Sequence, residues 1–301
     1  QDPSLDAAAM ESGTAMLAEA QSTYVPVTAG DREKFIRDGY IVMKNTLDAE
    51  EVAIVMKTME QSSFLSQYEM NVDSSLSGKP GKQTIWDKPG NGAMGALTRS
   101  ERVVGVADFL LGGGGVHHYF NKMLRKEAGD LGEWQWHQDY GSYWYYDHFL
   151  RPDMLTVWVA VDPSKRHNGC LKVIPGSNNI GRIDCKVEGN QRVVDPQRVQ
   201  RAIEESSVVY VEVEAGDAVF FHGNTLHSSE GNPSSDRRMA FAAHFTKANN
   251  LMFAANPGLG LSTAAMRPEP HSRIKEMGVV VDDCESLGLQ DPKEGAVLNS
   301  K

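Results

Sequence analysis

The strongest constraint on the fold is a run of seven residues at 155–161. Its sequence, LTVWVAV, places apolar side chains on both faces of a strand, which is typical of a central strand covered on both sides. Further short apolar runs, each suited to one strand, lie at residues 116–124, 170–174, 208–213, 218–222 and 238–246. Many short strands with few helices between them indicate a β-sandwich or a β-barrel.

Helical patterns precede this β-rich region. They lie at residues 31–39, 47–59 and 102–111. Gly39 is placed to end the first helix before a strand at 40–43, and Asp48 is placed to cap the second. Residues 61–100, rich in Ser, Gly, Lys and Pro, are expected to form a long loop, either a functional lid or a disordered segment.

The composition is that of an ordinary globular chain. Of the 301 residues, 41% are hydrophobic and 23% are charged, so a sizeable core can be buried. We expect one domain at residues 31–250, preceded by an N-terminal arm at 1–30. A C-terminal extension at 251–301 is expected to pack on or near the mouth of the active site.

Charge and cysteine content exclude several classes of function. The formal net charge of −10 argues against binding to nucleic acid or to an anionic membrane, because both depend on basic patches. No apolar run approaches the length of a membrane span. The three cysteines are widely spaced and odd in number, which fits reduced structural thiols better than disulfides or a zinc site: Cys170, Cys185 and Cys284. A cytoplasmic location is therefore expected.

The sequence Trp-His-Gln-Asp at 136–139 carries the clearest chemical signal. On a strand, His137 and Asp139 point to the same side, where an imidazole and a carboxylate can share a metal. His227, at the end of another predicted strand, supplies a third ligand. Two histidines and one carboxylate form the facial triad of non-haem iron(II) oxygenases, which keeps open positions for other ligands. Two alternatives remain: Asp139 only orients His137, or His222 replaces His227.

A cation near this triad would suit an acidic cosubstrate. Arg238 opens the last predicted strand and shares one face with Ala240, Ala242 and His244. That face is small and roomy, so a buried arginine there can hold a carboxylate through two hydrogen bonds. His244 therefore also belongs near the site.

An aromatic stretch follows Asp139 directly. Tyr140, Tyr143 and Trp144 offer ring faces and hydroxyl groups to a substrate. The same side chains are equally suited to packing a loop against the barrel, and the sequence leaves both interpretations open. His222 and His244 are further candidates for contact with the substrate.

Taken together, these motifs give a resemblance to a known family. The motifs occur in a fixed order at residues 35–40, 136–139, 156–162, 168–177, 216–221, 227–234 and 238. In these segments the chain resembles the phytanoyl-CoA dioxygenase family, which includes ectoine hydroxylases. The resemblance spans residues 32–247, and the combination of motifs is far more specific than any one of them.

The resemblance implies a mainly β fold with flanking helices (α+β), a double-stranded β-helix of the jelly-roll, cupin-like type. It implies Fe(II) held by His137, Asp139 and His227. It also implies that Arg238 anchors the distal carboxylate of the cosubstrate 2-oxoglutarate. Further residues of the cosubstrate pocket, by the same resemblance, are Ser229, Lys126, Thr156 and Trp158.

The implied reaction is hydroxylation of an unactivated C–H bond of a small molecule by O2, with release of succinate and CO2. A halogenase branch of the family replaces the metal carboxylate with a small residue, and this chain keeps Asp139. The alternatives are a halogenase or a desaturase on the same scaffold, or a cupin-like protein that binds a metal or ligand without catalysis. The substrate and the oligomeric state are left open.

Overall fold

The computed structural model describes residues 24–72, 80–254, 265–282 and 284–288. Most of the predicted N-terminal arm, at 1–23, lies outside these residues. In the described chain the strands are β1 Tyr40–Met43, β2 Met70–Val72, β3 Gly81–Trp86, β4 Val116–Lys126, β5 Trp134–His137, β6 Met154–Ala160, β7 Leu171–Val173, β8 Cys185–Glu188, β9 Gln191–Val194, β10 Val209–Val211, β11 Ala218–His222, β12 His227–Ser229 and β13 Arg238–Lys247.

Two antiparallel sheets face each other. The larger sheet has the strand order β1-β11-β6-β13-β4-β3-β2, and the smaller has the order β10-β7-β12-β5. The hairpin β8–β9 stands beside them. Strand β6 lies between β11 and β13, and all of its residues are buried, which confirms the central strand predicted at 155–161.

Alternate side chains of the larger sheet enter two different cores. Trp158, Phe221 and Ala242 face the smaller sheet and pack with Leu171 and Val173. The opposite faces of the same strands pack under the helices, with Phe241 fully buried there. Two facing sheets with helices outside confirm the predicted double-stranded β-helix, and the space between the sheets is where a site can form.

Most helices cover the outer face of the larger sheet, and one, at residues 196–206, packs instead against Val194 of β9 and Leu226. They are α1 Ala29–Asp38, α2 Ala49–Gln61, α3 Ser63–Gln67, α4 Ala93–Arg99, α5 Val106–Leu110, α6 Pro196–Ser206, α7 Arg273–Met277 and α8 Cys284–Leu287. Asp48 caps α2 as predicted, with its carboxylate accepting from two backbone N–H groups. Helix α1 begins two residues earlier than predicted, because Thr28 is its N-cap and Asp31 completes the capping box.

The long loop predicted at residues 61–100 is wrong for the described part of that segment. It contains α3, β2, β3 and α4. Strand β3 pairs with β4 and β2 pairs with β3, which extends the edge of the larger sheet. Both strands are short, and partly exposed polar residues interrupt their alternation, so the sequence pattern favoured a loop. Helix α6, capped by Asp195 with Pro196 at its first position, also escaped prediction.

The described parts of the C-terminal extension pack in different places. Met252 pairs with Phe149 and packs against an aromatic cluster that contains Tyr140 and Trp144, whereas residues 265–282 pack on helices. His271 forms hydrogen bonds with Ser100 (2.6 Å) and with Glu51 of α2 (2.9 Å), and Asp282 accepts from the backbone N–H of Gly92 (2.7 Å). Residues 265–282 therefore join the outer helical layer, and the packing of the extension near the site mouth stays a prediction. The domain boundary near residue 250 stays a prediction.

Among these helices, none is both long and apolar enough to cross a membrane.

Replacing Phe241 with alanine is expected to lower the free energy of unfolding by about 3–5 kcal/mol, because the ring is fully buried and packs 6.0 Å from Trp86. Denaturant unfolding measures the change. The matched control is Phe109→Ala on α5, whose ring is 38% exposed and whose loss should have a much smaller effect. Equal effects of the two changes would contradict the placement of the core.

Candidate active site

Three side chains converge between the sheets. The Nε2 atoms of His137 and His227 lie 3.8 and 3.7 Å from Oδ1 of Asp139. All three ligand atoms lie within 4.8 Å of one another. Two imidazole nitrogens and one carboxylate oxygen at this spacing fit the donor set of a facial triad for a divalent transition metal.

The two histidines meet because their strands pair. Strand β5 ends at His137, β12 begins at His227, and the two residues are register partners. Asp139, however, does not lie on the strand as predicted. Its backbone is helical (φ −59°, ψ −44°), and it precedes a π-helical turn at Tyr140–Trp144. The chain therefore turns immediately after His137, and this turn returns the carboxylate to the side of the imidazoles.

Backbone carbonyls set the tautomer of both histidines. Nδ1 of His137 lies 2.7 Å from the carbonyl oxygen of Gln135, and Nδ1 of His227 lies 2.9 Å from that of Thr225. A carbonyl oxygen only accepts, so each Nδ1 carries the hydrogen and each Nε2 keeps its lone pair for a metal. Burial lowers the pKa of His137 to about 3, which keeps that imidazole neutral.

Asp139 is held as an oriented carboxylate. Its Oδ2 accepts a hydrogen bond from Oγ1 of Thr156 (2.6 Å) and lies 3.9 Å from Nε2 of His244. Oδ1 is thereby left to face the two histidines. Burial alone would raise the pKa of Asp139, but the electrostatic interactions with His227, His244 and Lys122 outweigh burial and hold the pKa below its usual range.

A cavity of about 500 Å³, its open mouth included, surrounds the triad. Its wall combines apolar surface with a few convergent polar groups, as ligand pockets do. The lining residues are Lys122, Leu124, Trp134, His137, Asp139, Thr156, Trp158, Leu171, Phe221, His227, Ser228, Ser229, Arg238, Ala242 and His244.

Arg238 presents an unsatisfied guanidinium to this cavity. The residue is 2% exposed, and its Nε and Nη2 have no hydrogen-bond partner in the described chain. The guanidinium carbon lies 5.6 Å from the ring centroids of both Trp134 and Trp158. Burial lowers the pKa of Arg238 to about 10. An orphaned buried cation of this kind requires an anionic ligand, and a carboxylate fits its two free N–H groups.

Comparison with known proteins places the chain in a family. A family model described as phytanoyl-CoA dioxygenase matches residues 35–240, more than half of the chain. The chain belongs to the phytanoyl-CoA dioxygenase family. This confirms the predicted recognition and the predicted class of enzyme, a dioxygenase.

Curated relatives support the same family. L-Proline trans-4-hydroxylase of Streptomyces griseoviridis is 28% identical over 72% of this chain and 85% of its own length. Ectoine dioxygenase of Stutzerimonas stutzeri is 27% identical over 71% of this chain and 74% of its own length.

A solved structure shares the fold. EctD from S. alaskensis in its apo form has a TM-score of 0.66 at 22% identity, covering 82% of this chain and 89% of that one. Other structures of EctD contain Fe, or 2-oxoglutarate with 5-hydroxyectoine. Iron and 2-oxoglutarate are the groups predicted for the present chain.

The residues predicted to line the cosubstrate pocket of this dioxygenase divide into two groups. Ser229, Thr156 and Trp158 line the cavity. Lys126 does not. Its amine donates to Oγ of Ser229 (3.0 Å) and to the carbonyl oxygen of Glu230. Lys126 thus contacts the cavity wall through Ser229, and its predicted role in the cosubstrate pocket stays a prediction.

Of the candidate substrate residues, only His244 lines the cavity of the described chain. The hydroxyl of Tyr140 donates to the Phe149 carbonyl oxygen (3.1 Å), and Trp144 is fully buried in the same aromatic cluster. Tyr143 is partly buried beside this cluster, with its ring 4.8 Å from Lys122 Nζ. For Tyr140 and Trp144 the structure favours packing over substrate contact.

His222 lies apart from the triad. Its Nδ1 accepts a hydrogen bond from the backbone of Asn224 (3.1 Å), and its ring contacts Phe35 at a centroid distance of 6.1 Å. Burial lowers its pKa to about 4. The alternative in which His222 replaces His227 as a ligand is therefore not supported by the geometry.

Sequence reasoning missed part of the wall, namely Lys122, Leu124, Trp134, Leu171, Phe221 and Ser228. A signal existed for Lys122 and Leu124, because both alternate with Lys126 on one face of β4. Trp134 had a weaker signal, since it lies on the short strand β5 that ends at His137. Leu171 and Phe221 had none beyond ordinary core character.

Replacing Thr156 with valine is expected to weaken iron(II) binding about 10- to 100-fold, because Asp139 loses the hydrogen bond that orients it. Anaerobic titration with iron(II), followed by the thermal shift of the protein, measures the affinity. Thr156→Ser retains the hydroxyl and should bind iron(II) like the wild type. Wild-type affinity in the valine variant would contradict this positioning role.

Proposed function

We propose that this chain is an Fe(II)- and 2-oxoglutarate-dependent dioxygenase that hydroxylates an unactivated C–H bond of a small polar molecule. His137, Asp139 and His227 hold the iron, and Arg238 holds the distal carboxylate of 2-oxoglutarate. When bound, iron(II) and 2-oxoglutarate supply oxidation by O2, with 2-oxoglutarate converted to succinate and CO2. The relatives named for L-proline and ectoine support a substrate of similar size.

Each residue of the site has a distinct task. The two Nε2 lone pairs and Oδ1 of Asp139 present three donors on one side, which leaves other positions for cosubstrate and O2. Thr156 keeps Oδ1 directed at the metal position by binding Oδ2. Trp134 and Trp158 exclude water from the Arg238 guanidinium, which strengthens its attraction for a carboxylate.

The observation that carries the proposal is Arg238. A protein that only bound a metal would have no use for a buried, unpaired guanidinium in the same cavity, since burying it without a partner is unfavourable. A halogenase that binds halide in place of the carboxylate is disfavoured because Asp139 is present and oriented. A desaturase would use the same groups, so hydroxylation is preferred on the similarity to named hydroxylases.

The cysteines and the net charge support a cytoplasmic location and small-molecule partners. Cys170 and Cys185 are free thiols, which suits a reducing, cytoplasmic setting. The net charge of −10 supports action on small molecules without nucleic acid or a membrane surface.

Anaerobic titration of iron(II) and 2-oxoglutarate into the metal-free protein tests this function. We expect the weak visible charge-transfer band of the chelated complex, followed by consumption of 2-oxoglutarate once O2 is admitted. The matched control is Arg198→Gln on the exposed face of α6, which should leave the band unchanged. A folded protein that binds iron(II) and gives no band with 2-oxoglutarate would overturn the proposal.

A further inference from the structure

A second cationic side chain faces the cavity, and the proposed binding of 2-oxoglutarate does not use it. Lys122 of β4 is 7% exposed and lines the cavity. Among the described residues, no carboxylate forms an ion pair with its amine and no group accepts a hydrogen bond from it. Its Nζ lies instead 5.0 and 4.8 Å from the ring centroids of Phe120 and Tyr143. The Lys122 amine thus lies against two ring faces, and the nearby carboxylate of Asp139, whose pKa it lowers, does not form an ion pair with it.

Lys122 lies at the end of the cavity opposite to Arg238. Arg238 is the register partner of Lys126, whereas Lys122 is the partner of Ala242, four residues further along β13. Four residues of a strand separate the two positions by roughly 13 Å. Because Arg238 holds the distal carboxylate of 2-oxoglutarate at its own end, one cosubstrate molecule does not serve both cations.

The triad lies close to Lys122. Oδ2 of Asp139 is 3.9 Å from His244, and the ring of His244 lies against Phe120 at a centroid distance of 4.0 Å. Phe120 is one of the two rings that contact the Lys122 amine. A ligand that pairs with Lys122 is thus placed beside the metal position, where the C–H bond to be oxidised must lie.

Charge balance indicates the kind of ligand. Iron(II), Arg238 and Lys122 together contribute four positive charges, and Asp139 contributes one negative charge. The cavity therefore carries a net charge of three positive units. The two carboxylates of 2-oxoglutarate remove two of them. One remaining positive charge in a desolvated cavity is balanced by a monoanion, whereas a phosphate dianion would leave the cavity negative.

We propose that Lys122 binds the carboxylate of the substrate, so that the substrate is a small monocarboxylic acid. This inference rests on the proposed function and adds the substrate class to it. The ion pair anchors one end of the substrate, and the rest of the molecule extends toward His244 and the triad. Leu124 and Ala242 line the cavity with it and supply apolar contact.

The test measures binding anaerobically by calorimetry, on protein loaded with iron(II) and 2-oxoglutarate. The ligands are a panel of α-amino and imino acids, L-proline included, each beside its primary amide, together with small phosphate monoesters. We expect at least one acid to bind and its amide to bind about thirtyfold more weakly. Lys122→Met should remove this preference by lowering the affinity for the acid, and Lys122→Arg should retain the preference. Lys57→Met, an exposed lysine of α2, is the matched control and should bind like the wild type.

The charge-transfer band with 2-oxoglutarate separates the two proposals. The Lys122→Met protein should keep this band, because its cosubstrate site is intact. A wild type without the band would refute the proposed function. Three results in a wild type that shows the band would overturn only the carboxylate proposal. They are binding of acids no tighter than that of their amides, no binding of any acid, and tighter binding of phosphate monoesters. Loss of the band in Lys122→Met would also overturn it, by assigning Lys122 to the cosubstrate.

Discussion

Replacing Asp139 with alanine is expected to lower the affinity for iron(II) by at least about a hundredfold and to abolish consumption of 2-oxoglutarate. Loss of a group that only supports a ligand costs 10- to 100-fold in metal affinity, so loss of the ligand itself exceeds that range. In the wild type, iron(II) at about a hundred times its dissociation constant stabilises the fold by about 2.7 kcal/mol. For a chain of this size the melting temperature should rise by roughly 4 °C.

The Asp139→Ala protein should show no such rise on addition of iron(II). Asp184→Ala is the control, because the Asp184 side chain is 88% exposed and lies outside the cavity lining. Circular dichroism of both variants in the absence of metal shows whether the fold is intact. An Asp139→Ala protein that is folded and still stabilised by iron(II) would remove this carboxylate from the metal site.

Replacing Arg238 with methionine is expected to produce opposite changes in binding and in stability. Truncating one partner of a buried charge pair costs about 2–5 kcal/mol, so the dissociation constant for 2-oxoglutarate should rise by about thirtyfold or more. Without cosubstrate, however, the guanidinium is a buried charge with two unsatisfied N–H groups. Its replacement by an apolar side chain of similar length should stabilise the ligand-free protein by about 1–4 kcal/mol.

The neighbouring Arg237 provides the matched control. Its guanidinium forms ion pairs with Asp162 (2.8 Å) and Glu60 (2.6 Å) on the opposite face of β13. Arg237→Met should therefore lower the stability and leave the affinity for 2-oxoglutarate unchanged. Denaturant unfolding and titration of the charge-transfer band on both variants measure the two effects. Destabilisation of the ligand-free protein by Arg238→Met would show that its guanidinium is satisfied within the fold.

The sequence predicted the central strands because burial on both faces leaves a pattern in the residues themselves. The apolar run at 155–161 and the alternation after Arg238 are such patterns, and both became strands of the larger sheet. The strands β2 and β3, at one side of the larger sheet, were missed because partly exposed strands mix polar and apolar residues. The pairing of β3 with β4 depends on contacts between residues distant in sequence, which no local pattern records.

The sequence predicted which residues form the site better than it predicted how they are arranged in space. His137, Asp139 and His227 were identified, but the shared strand face was the wrong reason for the meeting of the first two, since Asp139 has a helical backbone. Lys126 and Lys122 are both lysines on one face of β4. Only the structure distinguishes them: Lys126 donates to Ser229 and to the carbonyl oxygen of Glu230, whereas Lys122 lines the cavity.

The contact between Ala242 and Lys122 across β13 and β4 bears on how enzymes of this kind diverge. Ala242 contributes the smallest side chain of the cavity wall at the position paired with the lysine. A single change there to valine or leucine would shorten the space beside Lys122 and leave the iron ligands and Arg238 untouched. One methylene in such a pocket discriminates between substrates by about 10- to 200-fold. A single substitution at this position can thus change the substrate preference without altering the residues that carry out the oxidation.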